Sequence, residues 1–337
     1  MKTGIAFAGN LIVDRIRKID RLPGRSELAA IRATGRSTGG VCNNAIGMKK
    51  LDPDMPVSIY GVVGADGEGD YILSELNQSG VDTGAVIRRG ETSFTDAYVE
   101  TELNARTFFH FGGANDTFDV NDVPDALDAQ LFHVAYPLLL RTLDLPDRAY
   151  GTRLARLLAR VQTAGIATSL DVVSEESDRY KKIVHPALKY TDYLTINELE
   201  AARITGIPLT AGDGRLVEEN MPAALTRLFD LGVSHWAVIH APQASFGMDR
   251  SGCYVRLPGK RLPEGFIGGT VGAGDAFCTG VLLAACRGLG LADALRYGNA
   301  SAIASLRADT PNGSMVPIEE ALALYDALPT RCQALDI

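Results

Sequence analysis

The sequence predicts an α/β fold, in which a mostly parallel central sheet is flanked by helices and carries a small β-sheet lid. Short β-rich runs alternate with longer helical patterns along most of the chain, which is typical of parallel sheets covered on both faces. Two regions interrupt this alternation with one strand pattern after another. At 337 residues, 46% of them hydrophobic, the chain can bury a large core.

The elements of the body are predicted in a regular order. The first strand is the apolar run at 5–10, and a short amphipathic helix ends at Leu51. The other predicted strands are Val57–Val63, Leu131–Ala135, Ile166–Leu170, Tyr193–Ile196 and Trp236–Ile239. The other predicted helices are Asp66–Gln78, Thr152–Thr163, Asn197–Thr205, Met221–Leu231, Ala273–Arg287, Ala292–Leu306 and Ile318–Leu328. Because no repeat or Pro-rich linker divides the chain, we expect one domain over residues 1–337.

The lid is predicted from about residues 14–38 and 85–111. Thr92–Glu100 alternates roughly with a period of two, as strands with one buried face do. The same period places three side chains on one face of a lid strand: Arg106, Phe108 and His110. Taken by itself, this pattern also fits solvated edge residues.

The run Gly269-Thr270-Val271-Gly272-Ala273-Gly274-Asp275-Ala276-Phe277 joins a glycine turn, a carboxylate and the start of an apolar helix. Glycines allow close backbone approach, and the first N–H groups of a helix have no intrahelical acceptor, so this segment favours a phosphoryl group. A carboxylate repels such an anion, so Asp275 fits better as a general base that takes a proton from a hydroxyl. The alternative is a tight helix start with Asp275 as an ordinary N-terminal residue.

Four further polar features stand in a fixed order before this run. Asp14 follows the first predicted strand, and Gly39-Gly40-Val41-Cys42-Asn43-Asn44 precedes the helix ending at Leu51. Gly64-Ala65-Asp66-Gly67-Glu68-Gly69 comes next. Asn197 and Glu200 then share one face of a predicted helix, a spacing that also fits an N-cap and its capping-box partner.

Together these motifs resemble the ribokinase-like (PfkB) carbohydrate kinase family, in which an early Asp, a Gly-Gly with an Asn four residues later, and a late Asp-Thr-x-Gly-Ala-Gly-Asp occur in this order. The glycine motif at 64–69 is similar to the family's Gly-x-Asp-x-x-Gly, and 197–200 to its Asn-x-x-Glu. The resemblance covers nearly the whole chain. It implies a ribokinase-like fold and transfer of the γ-phosphoryl group of ATP to a hydroxyl of a small carbohydrate, as in ribokinase or fructokinase.

The resemblance also implies roles for individual residues. Asp275 would be the base, beside an anion hole formed by Gly272, Ala273, Gly274 and the Asp275 amide. The sugar would contact Asp14, Gly39, Gly40 and Asn44, with Arg106, Phe108 and His110 from the lid. The nucleotide would contact Asn197, Thr270, Gly272, Gly274 and Asn299. Glu200 and Asn197 would support Mg²⁺, mainly through water, a mode that suits this ion.

Plain alternatives exist for several of these residues. Asp14 also fits a solvated turn, and Asn44 an exposed position after a glycine helix start. Ordinary helix packing is the alternative for Asn299.

Two departures from the family pattern bear on the cofactors. Gly269 stands where the family has an Asp that commonly helps to bind a monovalent cation, so activation by K⁺ is doubtful and we expect activity nearly independent of it. The chain reads His240-Ala241-Pro242-Gln243-Ala244-Ser245-Phe246-Gly247 where a Gly-rich turn usually reaches the nucleotide, so the preference for ATP is less certain.

Composition excludes several other classes of protein. The net charge is −8, from 33 basic and 41 acidic residues without a basic run, which disfavours nucleic-acid and membrane-surface binding. No apolar stretch approaches the ~20 residues of a membrane span. The scattered cysteines fit reduced thiols in the cytoplasm: Cys42, Cys253, Cys278, Cys286 and Cys332. We expect a homodimer formed through the lid.

Other functions remain open from sequence alone. A nucleoside kinase of the same fold is the nearest rival, and a non-catalytic sugar- or nucleoside-binding protein is a rival of another class. Gly35-Arg36-Ser37-Thr38-Gly39 matches the Gly-x-Ser-x-Gly motif of serine hydrolases, but that reading explains none of the other motifs. No Gly-x-x-x-x-Gly-Lys-Ser/Thr motif is present, which disfavours a P-loop ATPase.

Overall fold

A computed structural model describes residues 3–103, 105–175 and 177–331. Within these ranges the strands are β1 Ile5–Gly9, β2 Leu11–Ile19, β3 Ile31–Gly40, β4 Val57–Tyr60, β5 Val62–Val63, β6 Ile87–Arg88, β7 Phe94–Glu100, β8 Ala105–Phe111, β9 Leu131–Ala135, β10 Pro146–Asp147, β11 Gly151–Thr152, β12 Ala167–Leu170, β13 Tyr193–Asn197, β14 Trp236–His240, β15 Ala244–Asp249 and β16 Tyr254–Pro258. The α-helices are α1 Val41–Leu51, α2 Gly67–Gln78, α3 Arg153–Thr163, α4 Tyr180–Leu188, α5 Glu198–Thr205, α6 Met221–Asp230, α7 Ala273–Cys286, α8 Leu291–Ser305 and α9 Ile318–Ala327.

The body is built on a sheet with the strand order β16-β15-β14-β13-β12-β9-β1-β4. The strands from β4 to β14 are parallel, and β15 and β16 add an antiparallel edge. Every residue of β1 is buried, as expected for a strand covered on both faces. Phe7 belongs to a buried cluster that includes side chains of α1, α2, α7, α8 and α9, whereas Ala8 belongs to a second cluster that includes side chains of α3 to α6. The mostly parallel sheet between helices confirms the predicted fold class.

A second sheet, with the order β3-β2-β7-β8, contains strands from both predicted lid segments. β2 pairs with β7 in parallel, and the two outer pairs are antiparallel. The chain leaves the body at Asn10, whose N–H still donates to the carbonyl of Ala135 at 2.9 Å. Asp14 therefore follows β1 but lies within β2, opposite Ser37 and Thr95, and not in a solvated turn.

Sequence reasoning missed three elements of the body. Helix α4 carries Pro186 in its interior, which disguises the helical pattern. The residues 240–247, predicted as an altered loop, are mostly the hairpin of β14 and β15, joined by the turn at 241–243. β16 then pairs with β15 at the edge of the sheet. In the described part of the chain, no helix is long and apolar enough to cross a membrane.

Candidate active site

The site is a cavity of about 700 Å³ at the carboxyl ends of the parallel strands, where open α/β sheets bind ligands. The lid sheet and the start of α7 close it from two sides. Its lining residues are Ile12, Asp14, Gly40, Asn43, Thr95, Phe108, His110, Tyr136, Leu139, Asp171, Val172, Val173, Ser174, Glu175, Asn197, Glu200, His240, Val271, Gly272, Gly274 and Asp275.

The glycine turn before α7 presents backbone N–H groups to this cavity. Gly272 takes a left-handed φ of 76°, which glycine adopts without strain. The first helical hydrogen bond runs from the N–H of Ala276 to the carbonyl of Gly272, at 2.8 Å. The amides of Ala273, Gly274 and Asp275 precede it, so they are the free donors that an anion at a helix N-terminus uses.

The carboxylate of Asp275 is fixed on both of its oxygens. Oδ2 accepts a hydrogen bond from Nδ2 of Asn43 at 2.9 Å, and Oδ1 accepts one from the phenol of Tyr136. Burial raises the pKa of Asp275, while these two hydrogen bonds oppose the rise. The pKa of Tyr136 lies well above its usual range because of burial and the nearby carboxylate, so the phenol keeps its proton.

The Gly-Gly motif and α1 support Asp275 from the other side. Asn44 is fully buried and donates from Nδ2 to the backbone carbonyl of Asp275 at 3.1 Å. It is not among the residues that line the cavity, whereas its neighbour Asn43 is. Gly40 has a φ of 62°, and a Cβ there would lie 2.2 Å from the carbonyl oxygen of Asn10. Sequence reasoning missed Asn43, because adjacent asparagines cannot be told apart without the helix phase.

Asp14 approaches the cavity from the lid. A Cβ at Gly39 would come within 2.5 Å of its carboxylate, so the missing side chain makes room for it. Among the residues described, none donates a hydrogen bond to the Asp14 carboxylate. Burial, and secondarily repulsion from Asp275, raise the pKa of Asp14 to about 7. Two carboxylates thus face one cavity with the first turn of α7 beside them.

Of the three lid candidates on β8, two line the cavity and one does not. Phe108 and His110 line the cavity, and Nδ1 of His110 lies 3.1 Å from Oγ1 of Thr95. Burial lowers the pKa of His110. Arg106 is exposed and is not among the lining residues, because β8 extends beyond the cavity at that end.

An acidic group lies at the opposite end of the cavity from the lid. Asn197 and Glu200 form the capping box of α5, with Oε2 of Glu200 accepting from the Asn197 N–H at 2.9 Å. Oε1 of Glu200 accepts from the hydroxyl of Ser174 at 2.7 Å. Burial raises the pKa of Glu200 to about 7. Burial, Glu200 and Asp275 raise the pKa of Asp171, a lining residue that no sequence motif indicated.

The two remaining nucleotide candidates do not line the cavity. Thr270 is exposed, next to the lining residue Val271. Asn299 lies on α8 and donates from Nδ2 to the hydroxyl of Ser245 at 2.8 Å, so it contacts the hairpin that follows His240.

Comparisons with known proteins bear on the family of the chain. The pfkB family carbohydrate kinase model matches residues 2–317. Ribokinase of Staphylococcus aureus is 23% identical over 213 residues, 62% of this chain and 66% of that protein. The ATP-dependent ribose-1-phosphate kinase of Halopiger xanaduensis is 26% identical over 325 residues, 95% of this chain and 97% of that protein.

Solved structures show the same fold. The structure of Arabidopsis thaliana ribokinase with ribose and ATP superposes with a TM-score of 0.77 at 21% identity, covering 96% of this chain and 99% of that one. The predicted ribokinase-like fold is therefore confirmed. Because the family model spans almost the whole sequence, this chain belongs to the pfkB family of carbohydrate kinases, phosphotransferases with an alcohol group as acceptor that use ATP.

Proposed function

We propose that this protein transfers the γ-phosphoryl group of ATP to a primary hydroxyl of a small sugar, with Asp275 as the general base. The observation that carries the proposal is the placement of Asp275. Its carboxylate faces the cavity at the start of α7, held by Asn43 and Tyr136, while Asp14 faces the same cavity from the lid. An acceptor between the two carboxylates would thus lie beside the free amides of α7.

Phosphoryl transfer needs positioning, charge neutralisation and a base for the acceptor hydroxyl. Asp14 would orient the sugar by accepting hydrogen bonds from two of its hydroxyls, because none of the described residues donates to its oxygens. Asp275 would take the proton from the attacking hydroxyl, and the amides of residues 273–275 would hold the charge that develops on the transferred group. The raised pKa of Asp275 makes it a stronger base than an exposed aspartate.

The acids at the far end of the cavity fit Mg²⁺, which favours few carboxylates, retained waters and phosphate oxygens. Burial raises the pKa of both Asp171 and Glu200, and the charge of Glu200 raises that of Asp171 further. Because each oxygen of Glu200 already accepts a hydrogen bond, Glu200 and Asn197 would act on the ion through water, and Asp171 is the better direct ligand. The ion would neutralise charge on the nucleotide phosphates.

The test is an ADP-release screen with Mg-ATP over ribose, fructose, 2-keto-3-deoxygluconate, phosphosugars and nucleosides, with the Asp275→Asn variant as the matched negative. Sugar-dependent release that the variant lacks supports the proposal. Preference for nucleosides would favour the rival kinase, which the exposed ring of Phe108 at the cavity allows by stacking on a base. Binding without turnover would favour a non-catalytic protein.

We also propose that two copies of the chain pair through the outer side of the lid. A cavity of about 440 Å³ there is lined by Ile19, Leu22, Pro23, Ala29, Ile31, Asp96, Tyr98 and Phe109. Phe109 is 57% exposed, and apolar surface of this kind marks contact sites. Light scattering should give a dimer mass that Phe109→Asp reduces to a monomer mass. A monomer at all concentrations would refute the pairing.

A cytoplasmic location stays a prediction. Cys42, Cys253, Cys278 and Cys286 are free thiols in the structure. Cys332 lies outside the described residues.

A further inference from the structure

His240 occupies a distinctive place at the nucleotide side of the cavity. It is the last residue of β14, in register with Asn197 on β13, and it lines the cavity together with Gly272 and Gly274. A Cβ built on Gly274 would lie 3.5 Å from Cε1 and 3.8 Å from Nε2 of His240. The imidazole therefore lies directly against the backbone whose amides form the anion hole.

The ring of His240 is held by packing alone. Its centroid lies 4.8 Å from that of Phe277, at an interplanar angle of 34°. No described residue makes a hydrogen bond to either ring nitrogen. By contrast, the rings of His110, His133 and His185 each have a polar partner within 3.1 Å. The His240 ring is only partly buried, and no described residue competes for its N–H, so a ligand group in the cavity can accept a hydrogen bond from it.

The charge of the site matters for what this N–H can do. Burial lowers the pKa of His240 to about 4, so the ring is neutral at pH 7 and carries one donor nitrogen and one acceptor nitrogen. Acidic residues line the cavity, and its lining residues include neither Lys nor Arg. The neutral ring forms no ion pair with those carboxylates, and none of the described carboxylates accepts a hydrogen bond from it, so its N–H is available to a phosphoryl oxygen.

We propose that His240 donates an N–H hydrogen bond to a non-bridging oxygen of the phosphoryl group that the first amides of α7 bind. This inference rests on the proposed kinase function and assigns no bond-making step to the imidazole. The donor is fixed in place before the reaction and points at developing negative charge, the arrangement that stabilises such charge most effectively. The backbone amides and the side chain would thus approach the phosphoryl group from two sides.

The first test compares His240→Gln, which keeps an N–H donor, with His240→Phe, which keeps the stacking on Phe277 but has no donor. We expect kcat to fall roughly 10²-fold in the Phe variant, on the scale of losing one oxyanion donor, and to fall much less in the Gln variant. The KM for the sugar should stay constant in both. His235→Phe is the matched control, because His235 precedes the same strand at its opposite end. Equal losses in the two His240 variants, or no loss in either, would overturn the proposal.

The second test is a direct binding readout that separates this inference from the proposed function. Calorimetry first establishes whether the magnesium complex of a non-hydrolysable ATP analogue binds; if it does not bind, the kinase proposal itself fails. In the complex, long-range ¹H–¹⁵N spectra of the imidazoles should show the donor nitrogen of His240 shifted while the ring stays neutral. The resonance is assigned by its loss in His240→Gln. Saturation with this analogue, which retains the γ-phosphoryl group, that leaves the resonance unmoved would refute the hydrogen bond while the kinase function stands.

Discussion

Two carboxylates face the same cavity, and the chain holds them in opposite ways. Asp275, on the rigid body, has a donor on each oxygen, from Asn43 and Tyr136. Asp14, on the lid, has no donor among the residues described. Burial raises the pKa of both. The body thus orients its carboxylate before any ligand arrives, whereas the lid leaves its carboxylate for the hydroxyls of a ligand. One is arranged for chemistry and the other for recognition.

The largest effect is expected when the carboxylate on the body of the protein is replaced. Asp275→Asn keeps the shape of the side chain but cannot take a proton, so kcat should fall by about 10²-fold or more. Sugar affinity should change little, because recognition belongs to the lid carboxylate. Steady-state kinetics on the substrate found by the ADP-release screen measures both quantities. A variant with near-normal kcat would rule out Asp275 as the base.

The next largest effect is expected when the carboxylate on the lid is replaced. Asp14→Ala should weaken sugar binding by roughly 2–3 kcal/mol, the scale of hydrogen bonds to a charged group, and leave nucleotide binding nearly unchanged. Calorimetry with each ligand separately measures this. Loss of nucleotide affinity instead would place Asp14 in the wrong half of the cavity.

The pKa of Asp14 adds a pH dependence to sugar binding. Its pKa is about 7 in the free protein, and sugar hydroxyls donate best to the ionised form. The bound sugar should therefore lower this pKa, so affinity should rise as the pH increases toward about 7 and level off above it. Asp14→Ala should abolish this rise. A rise that persists in the variant would assign it to another group.

A smaller effect tests the fixing of Asp275. The hydrogen bond from Tyr136 lowers the pKa of Asp275 against the effect of burial, so Tyr136→Phe should raise that pKa. Activity needs the ionised base, and the acid limb of the rate profile should therefore move to higher pH. Asn43→Ala should move it in the same direction. If the acid limb moves in neither variant, a group other than Asp275 controls the rate profile.

The sequence predicted the parts of this site that lie in short local motifs. The glycine turn before α7 and the carboxylate after it needed no knowledge of the rest of the fold. Tyr136 could not be found this way, because its contact joins residues 139 positions apart and no motif surrounds it. Asp171 likewise simply follows a buried strand. Arg106 and Phe108 shared a predicted face, but only the position of β8 beside the cavity distinguishes them.

The fold, like the site, was predicted where the sequence signal is local and missed where it depends on distant contacts. Most helices of the body were predicted within a residue or two, because apolar spacing and caps are local signals. Strands β15 and β16 were missed, since an edge hairpin pairs through its backbone and Gly247 interrupts the apolar pattern. The roles of the lid and its use in pairing stay predictions.

The smallest expected effect concerns activation by K⁺. It tests a third position, where the chain offers no carboxylate at all. Gly269 has no carboxylate to offer a cation, and a Cβ there would lie 2.7 Å from the carbonyl oxygen of Ala308 and 2.9 Å from Cα of Asp309. The backbone thus packs too closely for a side chain at this position.

A monovalent ion that lacks one anionic ligand loses much of its affinity, so the rate should change by less than about twofold with K⁺. The measurement is initial rate against KCl from zero to physiological levels, with a bulky organic cation holding the ionic strength constant so that screening is not mistaken for binding. Saturable activation of several-fold would contradict the expectation and show that backbone carbonyls, such as that of Ala308, bind the ion without the carboxylate.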